Sequence, residues 1–181
     1  MNSKLIIGAL VGGLLVFIWQ FLSWAMLNVH GSTQMYTANQ DTILSVLSSQ
    51  LSEDGTYFLP TYAPGATPEE QEKLMETCMG KPWAQISYHK AYNAGMGMNM
   101  ARGLLVDVVA VWLLSWLLMK IPNITMQTTV ISAIVVGLIS YLTTSYTNSI
   151  WFETNSIPDL IDAVVSWALA GAWLGWWFNR K

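Results

Sequence analysis

Residues 5–27 read LIIGALVGGLLVFIWQFLSWAML and contain no charged side chain. Three further apolar stretches follow at residues 104–119, 128–146 and 157–178. Each has close to the roughly 20 residues that an α-helix needs to cross a bilayer. The sequence therefore predicts an all-α membrane protein with four transmembrane helices.

The composition points the same way. Of the 181 residues, 53% are hydrophobic and 10% are charged, and the chain contains 10 Trp. An ordinary soluble domain has about 25% charged residues. We therefore expect this chain to be embedded in a lipid bilayer.

Basic residues predict the orientation of the helices. Lys and Arg near helix ends stay on the cytoplasmic side of a membrane. In this chain the residues concerned are Lys4, Lys120, Arg180 and Lys181. If all of them are cytoplasmic, both termini lie inside and the loops at 28–101 and 147–156 face outward. The compact loops suit a bacterial inner (cytoplasmic) membrane.

The first apolar stretch could be a cleaved secretory signal or a retained helix. Its end, residues 23–27, reads SWAML and lacks the small-x-small pattern of a cleavage site. We expect a retained anchor. The predicted organisation is an anchor at 1–27, an extracytoplasmic cap at 28–101 and three transmembrane helices in 102–181.

The cap is predicted to be a small α+β element between helices 1 and 2. Asp41 is expected to cap a short helix with an apolar face. Thr67 and the Pro and Glu residues after it form a capping box, which predicts a helix at 68–79. Alternation of apolar and polar residues predicts strands at 56–59 and 83–88 that pair with each other.

The charge of the outer segments excludes one class of partner. They are acidic overall, and binding to nucleic acid needs a basic patch.

Cys78 is the only cysteine, so neither an intramolecular disulfide nor the chemistry of quinone-linked thiol oxidases is possible within one chain. We expect Cys78 to be buried and inert.

Small residues recur at four-residue spacing in the predicted helices, and such spacing allows close helix packing. They are Gly8, Gly12, Gly13, Ala133, Gly137, Gly171 and Gly175. These small-residue faces are more numerous than one compact bundle needs. They therefore favour a homo-oligomer or a protein partner.

Polar residues inside the predicted helices are the strongest candidates for function, because a carboxylate in a bilayer costs about 2.5–3.5 kcal/mol on insertion scales. The candidates are Gln20, Arg102, Asp107, Asp159 and Asp162. Arg102 lies about 140° around the helix from Asp107, so these two residues do not share a face. We hypothesise an ion pair between Arg102 and Asp162. The cluster is then either a proton or cation relay, or an ionic clasp between helices.

A second candidate site combines thioether and imidazole groups near the outer ends of helices 1 and 2. Its residues are His30, His89, Met96, Met98 and Met100. These groups together suit Cu(I), although methionine at a membrane boundary is commonly packing material. The sequence predicts no cofactor, with copper as the alternative.

Four helices with one large loop after the first resemble the layout of claudin-type proteins, but the paired cysteines of that loop are missing. The resemblance concerns layout and implies nothing about function. No nucleophile context or nucleotide-binding loop is present. The sequence therefore favours a non-catalytic accessory or scaffold subunit. The alternatives are a small transporter that uses Asp107, and copper handling.

Overall fold

The structure is a computed structural model and describes residues 3–93 and 95–180; Lys181 of the charge argument lies outside them. The elements are α1 (Ser3–Ala25), α2 (Gln40–Gln50), β1 (Gly55–Leu59), α3 (Pro68–Cys78), β2 (Ala84–Tyr88), α4 (Met96–Leu118), α5 (Met126–Tyr141), a π-helical turn (Leu142–Tyr146), α6 (Thr147–Phe152) and α7 (Ile157–Asn179). They divide into two compact units. The membrane unit comprises residues 3–35 and 95–180, and the cap unit comprises residues 36–93.

Four helices of the membrane unit are long and apolar enough to cross a membrane. They are α1, α4, the continuous helix formed by α5, the π-helical turn and α6, and α7. The second helix begins at Met96, as expected because the apolar stretch at 104–119 alone is short for a spanning helix. The third differs from the prediction, since it continues to Phe152. The outer loop predicted at 147–156 is therefore reduced to residues 153–156.

Where the third helix continues past its predicted end, its hydroxyl side chains bond to its own backbone. Thr144 Oγ1 donates to the Ser140 carbonyl at 2.6 Å, and Thr147 Oγ1 donates to the Leu142 carbonyl at 2.8 Å. Such bonds satisfy polar side chains within a helix and often bend it. They coincide here with the π-helical turn, and the polar run that suggested a loop is helical.

In the membrane unit, α1 packs against both α4 and α7, and α7 packs against α5. The contact between α4 and α5 is slight by comparison. The core consists of apolar side chains from all four spanning helices: Val16, Val111, Leu114, Leu118, Ala133, Ala170 and Leu174. α1 and α7 are thus the central pair of the unit.

Three chain segments meet at the basic end of the membrane unit. Lys4 Nζ donates to the Arg180 carbonyl at 3.1 Å, and the loop after α4 lines the same depression as Lys4. Trp173 and Trp177 donate to the carbonyls of Gly8 and Lys4 at 3.0 and 2.8 Å. These two indoles therefore join α7 to α1 and do more than mark a membrane boundary.

The cap unit contains a two-stranded antiparallel sheet and two helices. β1 pairs with β2 in a register that places Gly55 opposite Tyr88 and Leu59 opposite Ala84. The capping box of α3 is formed, because Thr67 Oγ1 accepts from the Glu70 amide and Glu70 Oε2 accepts from the Thr67 amide. The predicted pairing of the strands and the predicted start of α3 are confirmed.

The prediction for α2 is wrong at its first residue. Its N-cap is Asn39 without a side-chain hydrogen bond, and Asp41 lies inside the first turn. A carboxylate there still favours the helix, because it lies near the positive end of the helix dipole. None of the residues of α2 is buried. Its predicted apolar face forms, and Ile43, Leu44 and Val46 on that face are exposed.

Candidate functional site

Asp162 is the centre of the polar cluster in the membrane unit. Its Oδ1 accepts hydrogen bonds from Trp19 Nε1 at 3.0 Å and from Ser23 Oγ at 2.6 Å. Its Oδ2 lies 2.8 Å from His30 Nε2. A carboxylate only accepts hydrogen bonds, so a proton on Nε2 completes the third one. We call Trp19, Ser23, His30 and Asp162 the outer clasp.

A tight turn after α1 brings His30 back to Asp162. Asn28 has a φ of 50°, in the left-handed region, and the Val29 amide donates to the Ser23 carbonyl at 3.1 Å. Asn tolerates this conformation better than most residues. Ser32 Oγ also accepts from Asn155 Nδ2 at 3.1 Å. The segment after α1 is therefore fixed against the start of α7.

The imidazole of His30 is held on its face as well as at its edge. Its ring stacks on the Trp24 indole with centroids 3.8 Å apart and planes inclined by 8°. Only 6% of the residue is exposed. Ser23 bonds to Asp162 and not to the imidazole, so the three side chains lack the nucleophile-to-base contact of a hydrolase triad.

Asp107 forms a second, sparser site on α4. Its Oδ1 accepts from Gln20 Nε2 at 3.1 Å, and 7% of the residue is exposed. Its Oδ2 is buried and has no hydrogen-bond partner among the described residues. The same holds for Ser115 Oγ, two turns further along α4. We call Gln20 and Asp107 the lateral pair.

The predicted ion pair between Arg102 and Asp162 does not form. Arg102 is exposed and makes no hydrogen bond or ion pair within residues 3–93 and 95–180, because the carboxylate of Asp162 faces α1 and its loop. Asp159 is partly exposed in the first turn of α7 and likewise makes no such contact in the described part of the chain. Of the five predicted polar residues, Asp162 belongs to the outer clasp, and Gln20 and Asp107 form the lateral pair. Arg102 and Asp159 belong to neither site.

Sequence reasoning missed Trp19 and Ser23 as partners of Asp162. The two residues are four positions apart, so they lie on one face of α1. That spacing was the available signal, but Trp19 also fits the aromatic belt of a membrane helix. The participation of His30 had no comparable signal, since it depends on the turn at Asn28.

The residues of the copper hypothesis belong to both units. In the membrane unit, His30 Nε2 is engaged by Asp162, and Met96, Met98 and Met100 are exposed. In the cap unit, His89 Nδ1 lies 4.0 Å from Asp54 Oδ2. Within the described ranges, no three His, Cys, Asp or Glu side chains group as metal ligands. Copper binding stays a prediction.

The predicted packing residues lie at helix contacts inside the membrane unit. A Cβ on Gly13 would fall 2.5 Å from Val108 Cα, and one on Gly137 would fall 2.7 Å from the Ala163 carbonyl oxygen. For the other four glycines the nearest atom of a neighbouring helix is 2.7–3.1 Å from the added Cβ: Leu174 for Gly8, Val111 for Gly12, Ala133 for Gly171, and Met126 for Gly175. These small residues therefore allow close packing between helices of one chain.

The two carboxylates of the membrane unit differ in whether an oxygen is free to accept a further hydrogen bond. Both oxygens of Asp162 are engaged, whereas Asp107 keeps one oxygen unpaired.

No family model matches this chain, and no curated protein or solved structure matches it either. The functional proposal therefore depends on the chain's own residues.

Proposed function

We propose that this chain is a small polytopic integral membrane protein that acts as a non-catalytic accessory subunit and docks onto a larger membrane complex. In this proposal it resides in a bacterial inner membrane with both termini in the cytoplasm and the cap unit outside. The joining of Lys4 and Arg180 at one end of the membrane unit supports this orientation.

The observation that carries the proposal is the exposed face of α3. Met75 and Met79 are 70% and 81% exposed, and they line one groove with Glu72 and Glu76. Methionine side chains adapt to a partner's surface, and the carboxylates select a basic one. We call these four residues the α3 face.

The charge of the cap unit favours a different protein over a second copy. Residues 36–93 contain seven acidic and three basic side chains, a net charge of −4. Two copies brought together through this surface would repel each other. The partner we propose is therefore a basic, partly apolar surface of another membrane protein.

Gentle extraction of the tagged protein from its native membrane, followed by mass spectrometry, tests the proposal. We expect one larger partner in fixed stoichiometry. Glu76→Lys is expected to release that partner, and Glu53→Lys is its control, because both are exposed and each changes the net charge by two. Recovery of a monomer alone would contradict the proposal, and equal retention by both variants would exclude the α3 face.

One observation favours a second candidate function, the conduction of protons or cations through Asp107. The unpaired Oδ2 of Asp107 is a buried acceptor that the packing of the unit does not use. Carboxyl groups inside membrane segments commonly mark ion pathways. Reconstituted vesicles would then show a flux that Asp107→Asn abolishes and that Asp159→Asn preserves. Absence of any flux would exclude this candidate.

A further inference from the structure

The helix α2 carries an apolar face on which three of four large side chains are exposed and the fourth, Leu47, is partly buried. Ile43, Leu44 and Val46 are 47%, 57% and 56% exposed, and Leu47 lies between them on the same face. At 100° per residue these four side chains cover an arc of about 160°. Gln40 and Gln50, the first and last residues of α2, also fall within this arc, and the remaining arc carries Asp41, Thr42, Ser45, Ser48 and Ser49. α2 is therefore an amphipathic helix whose apolar face is largely exposed.

The chain enters α2 directly from the membrane unit. His30 and Ser32 fix the segment after α1 against Asp162 and Asn155, at the outer end of α7. The membrane unit ends at Met35, and α2 begins at Gln40. Five residue steps span at most about 18 Å. The linker therefore limits the distance between Met35 and the start of α2 to about 18 Å.

Charge distinguishes α2 from the other helix of the cap unit. Asp41 is the single charged residue of α2, whereas α3 carries four Glu and one Lys. A cluster of carboxylates disfavours insertion into a membrane surface, because charged groups lose hydration there. An apolar arc bordered by Ser and Thr has no such penalty.

We propose that α2 lies on the outer surface of the bilayer and inserts Ile43, Leu44, Val46 and Leu47 at the level of the lipid headgroups. The occupant of the apolar face is thus the lipid surface rather than a protein. Because α2 has no basic residue, its attachment depends on apolar burial and not on anionic lipid. It holds the cap close to the membrane at the point where the chain leaves α1.

Site-specific fluorescence tests this proposal on the full chain reconstituted in phosphatidylcholine vesicles. Cys78 is replaced by Ser, and single cysteines are introduced as Leu44→Cys or Leu47→Cys on the apolar face and as Ser45→Cys or Ser48→Cys on the polar face. Each is labelled with a fluorophore that is sensitive to its environment. A matched control, Met75→Cys, places the label on the acidic α3.

We expect lipids with a quencher at a shallow acyl position to reduce the emission from sites 44 and 47. The loss at sites 45, 48 and 75 should be small, and neither added anionic lipid nor salt should change the pattern. Equal quenching at both faces, or none, would overturn the proposal. A shifted emission at site 44 that lacks lipid quenching and grows with protein density would overturn it in favour of a second copy.

Discussion

The outer clasp and the lateral pair place two carboxylates in the same unit with very different numbers of donors. Asp162 is served by Trp19, Ser23 and His30, whereas Asp107 is served by Gln20 alone. Both residues are largely withdrawn from solvent, with side-chain exposure of 18% for Asp162 and residue exposure of 7% for Asp107. The two carboxylates are thus both largely buried, and they differ in the number of hydrogen-bond donors that reach them.

The origin of this difference is the arrangement of polar residues on α1. Trp19 and Ser23 share one face, which is directed at α7, while Gln20 lies about 100° from Trp19 and about 60° from Ser23, toward α4. The turn at Asn28 then adds His30 to the α7 side only. A carboxylate with three donors is suited to holding helices together, and a carboxylate with a free oxygen is available for other chemistry.

The largest effect is expected from Asp162→Ala. Three donors lose their acceptor, and each unsatisfied buried donor costs about 1 kcal/mol, so unfolding should become easier by about 3 kcal/mol. Unfolding in detergent, followed by loss of helical circular dichroism, measures this change. Asp159→Ala is the control and should stay within about 0.5 kcal/mol of the parent. Equal effects of the two variants would show that the hydrogen bonds of the outer clasp add no stability beyond that of Asp159.

Gly13→Ala is expected to have the next largest effect, and it acts on the side of α4. The added Cβ meets the backbone of Val108, which cannot turn away as a side chain could, so the cost is about 2 kcal/mol. The same unfolding measurement applies. Gly97→Ala, at a glycine of α4 with open space around it, should be neutral or slightly stabilising. A tolerated Gly13→Ala would mean that α1 and α4 pack less closely than described.

Trp19→Phe should have a smaller effect. It keeps an aromatic ring but removes the Nε1 donor to Asp162, and a hydrogen bond in a membrane protein contributes about 0.6–1.7 kcal/mol. We expect a loss of about 1 kcal/mol that largely disappears when Asp162 is already Ala. Trp151→Phe, at an exposed indole, is the control. An undiminished effect in the double variant would show that Trp19 acts through packing alone.

The smallest effect on stability is expected from Asp107→Asn. The amide oxygen can still accept from Gln20, and no other hydrogen bond among the described residues is lost, so the change should stay within about 0.5 kcal/mol. Unfolding and partner recovery are measured together. A loss as large as that of Asp162→Ala would make the lateral pair a second clasp and would end the contrast between the two sites.

The sequence was sufficient for features that depend on local patterns. The four spanning helices follow from long apolar runs, and the start of α3 follows from the spacing of Thr67 and Glu70. The pairing of β1 with β2 follows from alternation of side chains. Each of these features is determined within a short window of residues.

The partners of Asp162 could not be predicted in the same way. Opposite charge suggested Arg102, but indole, hydroxyl and imidazole donors on α1 and its loop occupy the carboxylate instead. Their approach depends on which helices are neighbours and on the left-handed turn at Asn28. Neither property is encoded in the spacing of charged residues.

The outer clasp also has a consequence for biosynthesis. His30 and Asp162 are 132 positions apart, and α7 is made after the other helices described here. At ribosomal rates of about 5–20 residues per second, Trp19, Ser23 and His30 are in place on the order of ten seconds before their acceptor. A nascent chain that stops before α7 has three donors and no carboxylate between them. Synthesis of α7 is therefore the event that completes the outer clasp.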